Sequence, residues 1–112
     1  MSDDLLGKAS VKRRRAEAVQ AWSVSLGDVT ACAIAKDGGS YPAGKFHEGR
    51  VAALGELMRR LDDASTPGQV VESAGALAAE WEHRAQPGAG ASREWESYRA
   101  GGVQALQELA SG

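Results

Sequence analysis

Cysteine is almost absent from the sequence. Cys32 is the only cysteine among 112 residues, so no disulfide can form within the chain, and this usage is typical of a reducing compartment. Its neighbours are mostly small residues, which predicts a small buried apolar group rather than a reactive thiol. The sequence also has no C-x-x-C pair and no G-x-S-x-G elbow, the usual signatures of dithiol redox sites and α/β-hydrolase nucleophiles.

Long apolar runs are missing as well. No stretch approaches the roughly 18 consecutive apolar residues that span a bilayer. The N-terminal segment MSDDLLGKASVKRRR is polar and charged and lacks the apolar core of a signal peptide. We therefore expect a soluble, cytoplasmic protein that does not associate with membranes.

Large apolar side chains are scarce. Leu, Ile, Val and Phe together number 19, whereas alanine alone accounts for 21 residues. The formal net charge of −2 is too small for the charge-driven disorder that such a composition otherwise indicates. Alanine has the highest helix propensity but buries little area. The composition predicts a single all-α domain with a thin core, and burying a shared face in a homo-oligomer would stabilise it.

What the sequence does contain is one long amphipathic segment, residues 45–61, with the sequence KFHEGRVAALGELMRRL. Its apolar residues recur three or four positions apart, which at about 100° per residue forms the buried stripe of a helix. The stripe consists of Phe46, Val51, Leu54, Leu57, Met58 and Leu61. The opposite and flanking surface carries Arg50, Glu56, Arg59 and Arg60. We predict that this segment is the central helix.

Three further helices are predicted, each beginning at a residue whose hydroxyl can cap the first turn. They run from Ser10 to about Ser23, from Thr66 and Pro67 to about Ala85, and from Ser92 to about Ala110. In the last helix, the adjacent Gly101 and Gly102 predict a kink or a close helix crossing, at a cost in helix propensity.

Residues 24–36 are ambiguous, because their apolar residues partly alternate as in a strand while their alanine content favours a helix. The expected organisation is a flexible leader, residues 1–8, followed by a helical domain, residues 9–112. We expect the domain to be a small, Ala-rich bundle of four to five helices. Trp22, Trp81 and Trp95 lie on the inner stripes of three different helices, which predicts a shared aromatic core or, alternatively, a groove for a partner helix.

A basic cluster, Lys12, Arg13, Arg14 and Arg15, lies near the start of the first predicted helix. The helix dipole disfavours positive charge at that end. The cluster is therefore interpreted either as a solvated face or as a patch for nucleic acid or an acidic partner.

Residues 39–45, GSYPAGK, match the G-x-x-x-x-G-K spacing of a phosphate-binding loop. However, Phe46 stands where a Ser or Thr would bind Mg²⁺, and Pro42 removes one backbone N–H from the cradle. The preferred interpretation is an ordinary loop before the central helix, and we expect no cofactor.

The same stretch, from Gly39 through Phe46 and followed by Glu48 and Arg50, resembles the G-x-Y-P-x-G-x-x-L-P-S-E-R segment of GntR-type winged-helix repressors. In that family the segment joins the first helix to the helix-turn-helix. The resemblance covers about a dozen residues, and residues 55–58 continue the central helix where the family has a turn. No functional residue is carried over, but DNA binding becomes an alternative function.

Glu80 and His83 have an E-x-x-H spacing, which can place two metal ligands on one helix face. With Trp81 pointing to the core, neither side chain points inward, so we predict solvated side chains and no metal site. His47 differs because it lies on the same face as Val51 and Leu54. It is the candidate functional residue of the core face, although a histidine held by a backbone carbonyl is the simpler interpretation.

These features predict a non-enzymatic helical interaction or assembly module that self-associates and binds a protein partner. The alternative is a small DNA-binding transcriptional regulator that uses the basic N-terminal helix. A small metal- or nucleotide-dependent enzyme is a distant third hypothesis, and no catalytic residue can be named.

Overall fold

The computed structural model describes residues 7–27, 42–84 and 93–111, and every regular element within these ranges is an α-helix. The helices are α1 (Lys8–Gly27), α2 (Pro42–Arg60), α3 (Pro67–Glu82) and α4 (Arg93–Ala110). No strand occurs in the described ranges, which confirms the all-α class for that part of the chain. None of these helices is long and apolar enough to cross a membrane.

The first helix begins earlier than predicted. The N–H of Val11 donates to the carbonyl of Gly7 at 3.1 Å, so Gly7 occupies the cap position. Ser10 instead lies buried in the first turn, and its prediction as the cap is wrong. Glycine is found at helix N-caps but is a weaker signal there than serine, which explains the error.

The same helix also ends later, at Gly27 rather than near Ser23. Residues 24–27 of the ambiguous stretch are therefore helical. The remainder of that stretch, with Cys32, lies outside the described residues. So do residues 39–41 of the loop motif, the expected cap Ser92 and residues 1–6 of the leader.

The start of α3 confirms its prediction. The Thr66 hydroxyl accepts from the backbone N–H of Gln69 at 3.1 Å, and the Gln69 side chain accepts from the N–H of Thr66 at 2.8 Å. This is a reciprocal capping box, and Pro67 lies in the first helical turn. The helix ends at Glu82, three residues before the predicted Ala85.

The hydrophobic core is built around α2, which packs against α1 on one side and α4 on the other, while α4 also packs against α3. Within the predicted stripe of α2, Val51, Leu54, Leu57 and Leu61 are buried, and Phe46 and Met58 are half-buried. The largest buried side chains from the other helices are Val11, Val70, Leu77, Trp81, Leu106 and Leu109. The prediction of α2 as the central helix is confirmed.

Glycines bring α2 and α4 together. A Cβ built on Gly49 of α2 would collide with the backbone carbonyl of Tyr98 on α4, and one built on Gly101 of α4 would collide with the carbonyl of Phe46 on α2. The two backbones are therefore in direct contact at this crossing, which only residues without a side chain permit. Of the two alternatives expected at the glycine pair, the structure has the close crossing, and α4 continues as one helix through it.

Gly102 makes a second close contact, because a Cβ there would overlap the indole ring of Trp81. Trp81 is fully buried and stacks on Tyr98 with ring centroids 5.3 Å apart, and Tyr98 stacks in turn on Trp95 at 5.6 Å. Two of the three tryptophans thus share one aromatic stack through Tyr98. Trp22 is half-buried and packs against the core on α1.

Glu56 ties the end of α3 to α2. Its carboxylate accepts a hydrogen bond at 2.9 Å from Arg84, whose guanidinium lies 4.7 Å from the centre of the Trp81 ring, and a longer one at 3.4 Å from the indole N–H of Trp81. Burial opposes ionisation of Glu56, but the hydrogen bond and charge of Arg84 outweigh it, so the pKa of Glu56 is lowered. Glu56, predicted on the surface opposite and flanking the buried stripe, is half-buried in a contact between helices.

Substituting the crossing glycines tests the backbone contact. We expect Gly49→Ala and Gly101→Ala each to lower the free energy of unfolding by about 1–3 kcal/mol, the range for overpacking. Gly75→Ala on α3 is the control, because its Cβ would lie an ordinary 3.8 Å from Ala110. Alanine propensity alone predicts a gain of up to about 1 kcal/mol there. Urea unfolding of the three variants measures these differences, and equal effects at all three positions would contradict the crossing.

Acid should weaken the Glu56 contact. Because the folded-state pKa of Glu56 is lowered, its stabilising effect is present above the pKa of the unfolded chain, about 4.3. That effect is lost as the pH falls through the folded-state pKa. We expect Glu56→Gln to be less stable than the wild type at pH 7 and the difference to shrink on acidification. Urea unfolding across this pH range measures the difference, and Glu72→Gln, at an exposed position, controls for the loss of one negative charge. A difference that does not depend on pH would contradict this assignment.

Candidate functional site

A cleft of about 380 Å³ lies where α1, α2 and α4 meet. Its floor is apolar and includes Leu54, Ala18 and Ala105. Six polar or charged side chains, two from each helix, surround this floor: Arg14 and Glu17, His47 and Arg50, and Gln104 and Glu108. The described residues of this lining offer charges of both signs and no hydroxyl or thiol nucleophile.

Arg50 forms one wall of the cleft. Its guanidinium donates to the side-chain oxygen of Gln104 at 2.7 Å and to the carboxylate of Glu108 at 2.9 Å. Both acceptors lie on α4, so Arg50 joins the two helices that the glycine crossing brings together. Arg50, predicted on the surface opposite and flanking the buried stripe, has a side chain that is only 21% exposed. A charge-assisted contact of this kind is stronger than an isolated surface ion pair.

His47 lies beside Arg50 in the same cleft. Its ring is half-buried and packs edge-on against Phe46, with ring centroids 6.0 Å apart. The Nδ1 atom is buried and has no hydrogen-bond partner among the described residues. The carbonyl partner expected from the sequence is therefore not found at this nitrogen among the described residues, which leaves it a buried, unpaired polar atom.

The basic cluster does not form a single patch. Consecutive residues of a helix diverge by about 100°, so the side chains of Lys12, Arg13, Arg14 and Arg15, all exposed, point in different directions around α1. Arg14 lines the cleft with His47, whereas Arg15 lies on the other flank of α1, against Gly55 of α2. The structure thus brings together two of the sequence-derived candidates, Arg14 and His47, and separates the others.

Glu80 and His83 both lie on the exposed surface. The carboxylate of Glu80 accepts two hydrogen bonds from Arg60, at 2.7 and 2.9 Å. The Nδ1 atom of His83 lies 2.9 Å from the carbonyl of Ala79. Within the described ranges no group of three or more His, Cys, Asp or Glu side chains is arranged to hold a metal ion.

The outer face of α1 is a second candidate surface. α1 packs mainly on α2, through a side that includes Val11 and Ala18. On its remaining surface Val19 is 37% exposed and Val24 is 56% exposed. Ala16 lies between these two valines on the helical wheel and is also exposed. Between the same two valines the wheel also places the polar side chains of Lys12, Arg13 and Gln20. The face is therefore mixed, and no described neighbour covers it.

Sequence reasoning missed Glu17, Gln104 and Glu108 as members of the cleft. The spacing of Gln104 and Glu108, four residues apart beside the apolar stripe of α4, is the one signal that could have drawn attention to them. Their partner Arg50 is 54 residues away from the nearer of the two, and only the order of the helices in space brings them together.

His47 gives a stability test. Because a buried, unsatisfied polar atom costs about 1–3 kcal/mol, we expect His47→Phe to raise the free energy of unfolding by about 1 kcal/mol. His83→Phe is the same substitution at an exposed helix end and should change stability by less than about 0.5 kcal/mol. Thermal or urea unfolding of both variants makes the comparison. A loss of stability in His47→Phe would mean that the ring is held by a hydrogen bond.

Comparison of the sequence with known family models finds no match, and neither do comparisons with curated proteins and with solved structures. The function is therefore inferred from the geometry of the described residues.

Proposed function

We propose that this chain is a small helical-bundle interaction module, not an enzyme, and that it self-associates through the outer face of α1. The observation that carries the proposal is the exposure of Val19 and Val24 on a helix that packs mainly against one other helix. Exposed apolar side chains are common singly, but here they flank the small residue Ala16 on one open helix face. The single cysteine favours the cytoplasm as the compartment.

A second copy of α1 is the occupant that fits this face. The helix carries four consecutive cations at positions 12–15 and no acidic residue in its first turn, so its own dipole disfavours the charge near its N-terminus. In an antiparallel pair centred near Val19, Arg13 of each copy lies beside the last turn of the other α1. The carbonyl end of that turn carries partial negative charge, which stabilises a nearby cation by about 0.3–1 kcal/mol. A parallel pair would instead place the two cationic ends together.

The thin core gives a second reason for association. Among the α1 side chains that the structure describes, the buried apolar ones are Val11 and Ala18, and Trp22 is only half-buried. At about 25 cal/mol per Å², these side chains fix α1 to α2 with little free energy. Covering its outer face in a dimer would remove further apolar area from water and hold α1 in place.

DNA binding by the basic helix has weaker support. Reading a DNA groove needs several cations on one helix face, whereas consecutive residues of α1 diverge around the helix. Arg14 lies in the cleft beside Glu17, and Arg15 lies on the opposite flank. An assembly role uses the whole face of α1 and does not need the four cations to converge.

A matched pair of Ala→Glu substitutions tests the proposal. Ala16→Glu places a charge in the proposed interface, whereas Ala76→Glu makes the same change at an exposed position of α3. We expect the wild type and Ala76→Glu to dimerise with increasing concentration in light scattering. Ala16→Glu should weaken dimerisation at least about tenfold, corresponding to 1.4 kcal/mol.

Two results would contradict the assignment of self-association to the outer face of α1. A wild-type chain that stays monomeric at every concentration would remove self-association altogether. Equal weakening by Ala16→Glu and Ala76→Glu would place the interface somewhere other than α1. Circular dichroism of each variant establishes that the helices are retained.

A further inference from the structure

A second hollow, of about 240 Å³, lies on the flank of α1 away from the His47 cleft. Lys8 and Arg15 of α1 and Arg59 of α2 line its rim, and Gly55 and Met58 of α2 form its floor. The described lining of this hollow therefore contains three cationic side chains and no acidic one. This composition differs from that of the His47 cleft, where arginines and glutamates alternate around the wall.

Gly55 is the point at which two guanidinium groups converge. A Cβ built on Gly55 would lie 3.3 Å from Nε of Arg15 and 3.8 Å from Nη1 of Arg59. Both groups thus lie over the same bare stretch of helix backbone. A glycine in the middle of a helix is destabilising relative to alanine, and here it leaves the space that the Arg15 side chain occupies.

Lys8 and Arg15 are not neutralised by the rest of the described chain, and Arg59 has only a Coulombic attraction to Glu56 without an ion pair. Lys8, Arg15 and Arg59 form no ion pair with another described residue, whereas Arg50, Arg60 and Arg84 each pair with a glutamate. The nearest carboxylate along α2 is that of Glu56, and both of its oxygens already accept hydrogen bonds from Arg84. Like charges held close together repel each other, and an anion between them reverses the sign of the interaction.

We propose that this hollow is a binding site for a phosphate-type oxyanion. Guanidinium groups donate paired, parallel hydrogen bonds that match the oxygens of a phosphate, and a lysine ammonium adds a compact charge at the rim. The apolar floor at Met58 provides a surface for the carbon part of a small phosphate ester. The site depends on α1 lying against α2 and not on self-association.

The phosphate can come from a free ion or ester or from a nucleic-acid backbone, and the two sources share this chemistry. A defined binding site and a diffuse positive surface predict different effects of substitutions on phosphate affinity. In a defined site the positions around Gly55 dominate the affinity. On a diffuse surface, each cation of positions 12–15 contributes about equally.

The experiment is a titration of the full chain with inorganic phosphate at constant ionic strength, chloride replacing phosphate, followed by NMR amide shifts. We expect saturable shifts around Gly55. Arg15→Gln and Arg59→Gln should each weaken binding roughly tenfold, as expected when one charge-assisted hydrogen bond is lost. Gly55→Ala, which keeps every charge, should also weaken binding, because its Cβ crowds Arg15. Arg13→Gln removes an exposed cation that does not line the hollow and should change the affinity less than about twofold.

A second arm uses a short DNA duplex as the probe. Tighter binding of the duplex with the same order of effects among the variants would identify nucleic acid as the source of the phosphate and would support the site. The absence of saturable phosphate shifts would overturn the proposal. So would an equal effect of Arg13→Gln and Arg15→Gln, or an unchanged affinity in Gly55→Ala. Ala16→Gln alters the outer face of α1 without placing a negative charge beside Arg15 and should bind phosphate as the wild type does, so failure of self-association and failure of this site are distinguishable.

Discussion

The contact between the backbones of α2 and α4 sets the geometry of the rest of the protein. Gly49 and Gly101 each lie against a carbonyl of the opposite helix, so neither position can carry a side chain without separating the helices. The contact is made of backbone and needs no large apolar residues, which suits a chain in which five of the fifteen buried apolar residues described are alanines. Because the helices are so close, the Arg50 side chain on α2 can reach both Gln104 and Glu108 on α4.

Polar contacts between helices complement this thin core. Arg50 joins α2 to α4, and Glu56 joins α2 to the end of α3 through Arg84 and the buried indole of Trp81. Arg50, Glu56 and Arg84 are half-buried, so their charges are screened less than on an open surface. Buried apolar area, backbone contact and charged hydrogen bonds thus stabilise different helix pairs. Among the described residues, α1 has the smallest share of each of these three kinds of contact.

Local signals predicted the local structure well. The three-and-four spacing identified the buried face of α2, and a threonine followed by proline identified the start of α3. Local signals failed at the start of α1. Ser10, a residue type preferred as a helix N-cap, was predicted as the cap, whereas the less preferred Gly7 occupies that position. Local signals also failed for the cleft and for the basic hollow, because each is formed by residues from separate helices. Periodicity assigns Arg50 and Arg15 to a face of their own helix but does not say which helix lies opposite that face. The opposite helix decides whether the charge is solvated, paired with a carboxylate or placed near like charges.

Both candidate sites are formed by α1 against α2, on opposite flanks of the same helix. A small movement of α1 toward one flank narrows the cleft that contains His47 and widens the hollow above Gly55, and a movement the other way does the reverse. Among the described residues, α1 contributes fewer buried apolar side chains than any other helix, and few buried contacts favour local motion. A partner on its outer face would fix the position of α1 and so set the shape of both sites together. Assembly and anion binding are therefore coupled only to the extent that the dimer moves α1 away from where the free chain places it.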